Sequence, residues 1–201
     1  MKKYETLCFD TIWIFGLRLY RIRALRDFGD VKAGDLGGYI ERKENLSQEG
    51  NCWVGGNAYV FDNAHVCDGA YVYGNARVYE DARVCGNARV FGEAYVYGNA
   101  HVFDDARVCG NARVCGNAKI SKANDILCIA PIGSRNDVTT FFKTKDNNIG
   151  VKCGCFTDTI DDFLEAVNET HGENKHAKAY KLACELARVQ IDLEDKINEN
   201  E

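Results

Sequence analysis

The sequence predicts a mainly-β solenoid of triangular coils followed by a small α+β module. Three observations carry this reading. Valine or isoleucine recurs every six residues without a gap from Val54 to Ile120, and alanine stands two residues before each from Ala58 to Ala118. Between them lie turn formers such as Gly-Asn, Asp-Asn and Glu-Asp. A period of six is not a helical period.

The residue types fix the local geometry. In "ARVY" (76–79) alternate side chains face opposite ways, so Ala76 and Val78 point inward while Arg77 and Tyr79 point out. Gly, Asn and Asp then tolerate the left-handed backbone of a tight corner. A short strand and a corner, three times over, close one triangular coil. Coils stack at strand spacing, about 4.8 Å. Alanine at the inner corner and valine on the inner wall leave a narrow core with little spare room.

The start of the solenoid is legible from a break in phase. Ile40 and Leu46 are six apart but Leu46 and Val54 are eight apart, so two extra residues sit within "SQEGN". Residues 1–50 therefore read as an N-terminal strand and a capping coil, with sharp turns at Gly34, Gly37 and Gly38, and 51–121 as the solenoid proper. A solenoid end needs a cap because its open edge recruits other chains.

After "SKAND" the repeat ends, and 126–201 read as a separate module. "ILCIA" is a strand, and "VTTFFKT" and "IGVKCGCF" form a hairpin around "KDNN". Ile149, Val151, Cys153 and Cys155 alternate on one strand face, so core packing accounts for both thiols without a metal. "TIDDFLEAVNETHG" is a helix with a capping Thr159 and a stop at Gly172. A second helix spans about 174–197, with Tyr180, Cys184, Ala187 and Ile191 along one side.

Composition narrows the function classes. Hydrophobic content of 46% and charged content of 27% over 201 residues are those of a soluble globular protein. A net charge of -5 gives no general attraction to duplex DNA or to anionic membranes. No run approaches the roughly 20 apolar residues of a membrane span. In the N-terminal stretch Asp10 interrupts the apolar residues, Arg18, Arg21 and Arg23 follow, and no small-x-small cleavage site appears, so a cytoplasmic protein is expected. Ten cysteines are then free thiols, and Cys67, Cys85, Cys109 and Cys115 act as small hydrophobes where other repeats carry Phe or Tyr.

The outward positions carry the functional candidates. After each repeat valine from Val60 to Val114 the residue is aromatic or Cys. Phe61, Tyr73, Tyr79, Phe91, Tyr97 and Phe103 are the candidate oligomer interface, because a rod showing this much apolar surface associates. Stacking of these rings between coils is the structural alternative. Before the valines, Arg77, Arg89, Arg107 and Arg113 interleave with tyrosines such as Tyr95. Arginine and tyrosine together can hold a phosphate and stack on a ring. Equally, arginine stems cover neighbouring aromatics and pair with Asp81, Glu93, Asp104 and Asp105. Ligand candidates are therefore Arg77, Arg89, Arg107, Arg113, Tyr73, Tyr95 and Tyr97 on the solenoid, with Ser134, Arg135, Asn136 and Lys143 on the module. His65 and His101 share one face two coils apart, roughly 10 Å by stacking, and are its only candidate bases. No third histidine at matching spacing completes a metal site, and no cofactor is expected.

The repeat resembles the hexapeptide repeat of the left-handed parallel β-helix (LpxA-like) superfamily, whose best-known members are trimeric acyltransferases. The stretch "RALRDFGDVKAGDLGGYIERKENLSQEGNCWV" (23–54) is similar to the amino-terminal segment of YdcK-like hexapeptide-repeat proteins. Together the two matches cover about residues 17 to 121. The resemblance implies a left-handed β-helix and a homotrimer. It also implies three alternative functions. The leading one is a non-catalytic binding protein that presents its C-terminal module, or sequesters a small phosphorylated or nucleotide ligand between subunits, with a role in phage–host conflict because such repeats occur in prophages. The second is an acyl-coenzyme A-dependent acyltransferase using His65 or His101. The third is a purely structural trimerisation scaffold.

Overall fold

The six-residue repeat folds as a parallel β-helix. The computed structural model describes residues 2–193, and the chain divides into two units, Met1–Ala123 and Asn124–Glu201. In the first, β1 (Tyr4–Ile14), β2 (Leu17–Ala24) and β3 (Leu36–Ile40) precede twelve two-residue rungs. The rungs are β4 to β15 in order: Trp53–Val54, Tyr59–Val60, His65–Val66, Tyr71–Val72, Arg77–Val78, Arg83–Val84, Arg89–Val90, Tyr95–Val96, His101–Val102, Arg107–Val108, Arg113–Val114 and Lys119–Ile120.

Each rung pairs in register with its counterpart one full coil further on, as in Val60↔Val78, Val78↔Val96 and Val96↔Val114. Three walls result: β3-β5-β8-β11-β14, β4-β7-β10-β13 and β6-β9-β12-β15. Every repeat valine, Ile120 and every repeat alanine is at most 1% exposed, so the core is the row read from the sequence. The corners take left-handed backbone, as at Gly92 (φ 76) and Asp68 (φ 59). A Cβ on Gly92 would lie 3.0 Å from the Gly110 amide nitrogen in the next coil, so glycine there also permits close stacking.

The expected break in phase is present. Ile40 pairs with Val60 and Leu46 bridges to Val66, so the first coil is longer than the regular ones by the inserted pair. The N-terminal cap differs from expectation. It is a hairpin of β1 and β2, with β2 antiparallel to β3, rather than a single strand. A register shift between Leu7 and Thr11 breaks the alternation of β1, which is why the strand is hard to see in sequence. Lys3 closes the end of the solenoid. Its fully buried ammonium donates to the carbonyls of Glu49 (3.1 Å) and Cys52 (2.9 Å) and lies 3.1 Å from Cys52 Sγ. The Tyr4 hydroxyl donates to Leu46 O at 2.7 Å, so carbonyls of the first coil that have no rung below them are satisfied.

In the second unit β16 (Ile126–Ile132), β17 (Asp137–Lys143), β18 (Ile149–Cys153) and β19 (Phe156–Thr159) form an antiparallel meander, followed by α1 (Ile160–His171) and α2 (Lys175–Gln190). Thr159 caps α1 by accepting from the Asp162 amide, and Asn174 caps α2 by accepting from His176 and Ala177. Phe141, Val151, Phe163, Val167, Tyr180 and Cys184 share one core. Two expectations are corrected. A fourth strand, β19, lies between hairpin and helices. The second helix ends at Gln190, where Ile191 turns extended and buries, and the part expected beyond 193 lies outside the described residues. No helix among the described residues is long and apolar enough to cross a membrane.

The core row makes a quantitative contrast. Val90→Ala, at a site with no exposure, is expected to lower the unfolding free energy by about 2 kcal/mol through lost burial and a residual cavity. Its outward neighbour Arg89→Ala stays within about 0.5 kcal/mol. Urea unfolding followed by circular dichroism reads both.

Candidate functional site

The C-terminal unit folds around a pocket of about 360 Å³, within the size range of small-molecule sites. Several elements converge on it. The turn between β16 and β17 brings Ser134 and Arg135, the end of β18 and the turn after it bring Cys153 and Cys155, and the helices bring Phe163, Thr170, His171 and Tyr180. Phe156 and Phe163 lie 5.2 Å apart, and Tyr180 meets Phe163 edge-on at 5.3 Å, so one wall is aromatic.

Glycine permits the polar side of this pocket. Gly154 (φ 59) lies under the Arg135 guanidinium, and Gly133 (φ 72) lies against the Tyr180 hydroxyl. A Cβ at either position would collide with that polar group. The buried Cys153 thiol donates to the Tyr180 hydroxyl at 3.6 Å and accepts from Thr139 Oγ1 at 3.2 Å. The Arg135 guanidinium also bonds the Cys153 sulfur, so the thiol faces a cation as well as two hydroxyls. Burial, then the contact with Cys153, pushes the Tyr180 phenol up to about 12, so it is protonated and able to donate at neutral pH. His171 stacks obliquely against Tyr180 at 5.9 Å. Arg135 is exposed and supplies the cationic end. The result is an apolar, ring-lined floor with one guanidinium and several neutral donors at its rim.

The residues expected to bind ligand are dispersed. Arg77, Tyr95, Tyr97 and Arg113 stand on the wall led by β3, whereas Tyr73, Arg89 and Arg107 stand on the wall led by β4. Arg77 is sandwiched, its guanidinium 5.5 Å from the Tyr59 ring and 5.2 Å from the Tyr95 ring, and Arg113 lies 5.8 Å from Tyr95. These arginines cover aromatics along the rungs. On the module, Ser134 and Arg135 line the pocket. Asn136 sits in the turn with φ 49, and Lys143 is buried with its ammonium donating to the Asp192 carbonyl at 3.2 Å.

The aromatic columns stack between coils. Phe61, Tyr79 and Tyr97 follow one another at 5.0 Å, as do Tyr73 and Phe91. The expectation that all these rings stand open is corrected at Phe61, which is 2% exposed because Leu19 and the hairpin tip cover it. Phe103 stands on the third wall and is half-buried. The expectation that His65 and His101 share a face is met, with Arg83 between them in register. His65 Nδ1 lies 2.6 Å from the Glu44 carbonyl, which can only accept, so that nitrogen carries the proton.

Sequence reasoning missed most of the pocket. Cys155 is exposed in the turn after β18, not packed on the strand face, because the left-handed Gly154 breaks the alternation that ran through it. Phe156, Phe163, His171 and Tyr180 carried only core or helix-end signals.

The match to a known repeat family lies on the solenoid. The repeat family described as YdcK Beta solenoid repeat matches residues 70–85, 82–98 and 106–121. Over these residues the chain carries YdcK-like β-solenoid repeats. A curated relative, the "Uncharacterized acetyltransferase YdcK" of Escherichia coli (strain K12), is 56% identical over 36 residues, which is 18% of this chain and 11% of that protein. The YdcK-like repeats stop at residue 121, before the unit that holds the pocket.

The phenol provides a pH signature. Tyr180 is raised from 10 when unfolded to about 12 when folded. Its share of the stability is therefore complete below pH 10 and lost as pH rises from about 10 to about 12. Tyr180→Phe is expected to flatten that decline, measured as unfolding free energy against pH.

Proposed function

We propose that this chain is a non-catalytic binding protein whose C-terminal unit takes up a small phosphorylated ligand of the nucleotide class, carried on a homotrimeric β-helix in the cytoplasm. The observation that supports this reading is the pocket itself. Arg135 offers a planar cation matched to phosphate oxygens. Ser134 and the protonated Tyr180 add neutral donors, and Phe156 and Phe163 offer faces for a ring.

The assembled state is supported by the N-terminal hairpin. Phe9, Trp13 and Phe15 are 80%, 69% and 83% exposed, and β1 is the edge strand of its sheet. Large exposed apolar side chains beside an open strand edge favour association. A three-chain assembly of the kind found in the left-handed β-helix superfamily covers them.

A second reading has one specific support, the word "acetyltransferase" in the name of the Escherichia coli relative. In that reading acetyl-coenzyme A lies along the solenoid and His65 or His101 acts as base.

One set of measurements separates the two. Calorimetric titration with adenosine monophosphate is expected to show binding that falls tenfold or more in Arg135→Ala, while His65→Ala and His101→Ala bind as the parent does, and native mass spectrometry gives three chains. Transfer of acetyl groups from acetyl-coenzyme A that disappears in His65→Ala or His101→Ala, with no effect of Arg135→Ala, would sink the binding reading.

A further inference from the structure

The third wall of the β-helix holds a cluster that neither the fold nor the pocket requires. Cys67 and Cys85 occupy the same outward position in successive coils, because Val66 and Val84 pair in register. Their thiols therefore stand side by side on a rigid ladder. Asp68 adjoins Cys67 at the corner, in left-handed backbone with φ 59, and this turns its carboxylate along the column of coils. Asp68 Oδ2 accepts from the Gly86 amide at 3.1 Å and from the Cys67 thiol at 3.6 Å. The carboxylate is thus held in place by the next coil rather than swinging free. The two sulfurs and a carboxylate oxygen lie within 4.8 Å of one another. Both thiols are half-buried and Asp68 is exposed, so an ion can enter from solvent.

Other rungs show what the position ordinarily does. On the first wall it carries Phe61, Tyr79 and Tyr97, whose rings stack at 5.0 Å. Packing alone would be served here by the same rings. Instead the column carries two adjacent thiols with a fixed carboxylate beside them.

We propose that Cys67, Asp68 and Cys85 form a site for a zinc-class, thiophilic divalent metal ion, with the fourth coordination position open to solvent. Two thiolates and one carboxylate are a ligand set that zinc accepts in tetrahedral geometry, with metal–sulfur distances of about 2.3 Å. Those distances place two bound sulfurs roughly 3.8 Å apart, so side-chain rotation closes the cluster on an ion without moving the rungs. Binding exchanges the two thiol protons for the metal, and both protons go to solvent. Soft thiolate donors favour zinc, cadmium or cobalt over magnesium or calcium. The site is independent of the ligand pocket, and the two stand or fall separately.

The test uses the full chain with the exposed thiols Cys8, Cys109, Cys128 and Cys155 changed to Ser, kept reduced with a phosphine. Cobalt(II) is titrated in and followed in the near-ultraviolet and visible, then zinc is added in competition. The expected result is one cobalt per chain with a sulfur-to-metal charge-transfer band and tetrahedral visible bands, displaced by zinc. Cys67→Ser and Cys85→Ser each abolish the band, and Asp68→Asn weakens binding tenfold or more. Cys67→Phe serves as a control for folding, since Phe occupies the same repeat position at Phe61, Phe91 and Phe103. It is expected to melt as the parent does without metal and to bind none. Absence of the band, or a band that persists in Cys67→Phe, overturns the assignment.

Discussion

The constraint on which the solenoid depends is the spacing between its coils. Backbone hydrogen bonding sets successive rungs at about 4.8 Å, so whatever stands at one position of the repeat meets its own counterpart one coil away. The inner row answers this with valine and alanine, all shielded from solvent. The corners answer it with glycine and short acids in left-handed backbone. The outer rows answer it with identical or complementary neighbours. Rings lie on rings, as at Tyr79 on Tyr97, and guanidinium lies between rings, as at Arg77 between Tyr59 and Tyr95. The pairing of Cys67 with Cys85 is a consequence of the same rule.

This rule explains why the β-helix is legible in the sequence almost residue by residue. The valine and alanine positions of each repeat are fully buried and cannot vary in size, so the periodicity survives in the letters. The phase break before Val54 is legible for the same reason. The hairpin is not, because the irregularity between Leu7 and Thr11 destroys the alternation that marks a strand. Its consequence for Phe61 is equally hidden, since a residue that faces outward from the rung is covered by Leu19 and its neighbours, from a segment far earlier in the chain.

The pocket is poorly legible for a different reason. Arg135, Cys153, Phe163 and Tyr180 come from four separate elements of the C-terminal unit, and no short spacing links them. Arg135 and Ser134 are visible as a polar loop. Tyr180 reads as part of an apolar helix face, which it is, but its hydroxyl also meets the Cys153 thiol within the same core. Alternation continues on paper through Gly154 to Cys155, whereas the backbone turns at the glycine. Sites assembled by tertiary packing leave weak periodic signals, and turn residues such as Gly133 and Gly154 are the more useful clue.

The proposed function divides the chain into a solenoid that serves as scaffold and a following unit that takes up the ligand. The most direct test of that division is an amide proton–nitrogen correlation spectrum of the labelled protein during addition of adenosine monophosphate. The account predicts saturable shifts confined to residues around 133–136, 153–156, 163–171 and 180. Shifts on the solenoid rungs, such as Arg77, Tyr95 and Arg113, with the C-terminal unit unmoved, would contradict it.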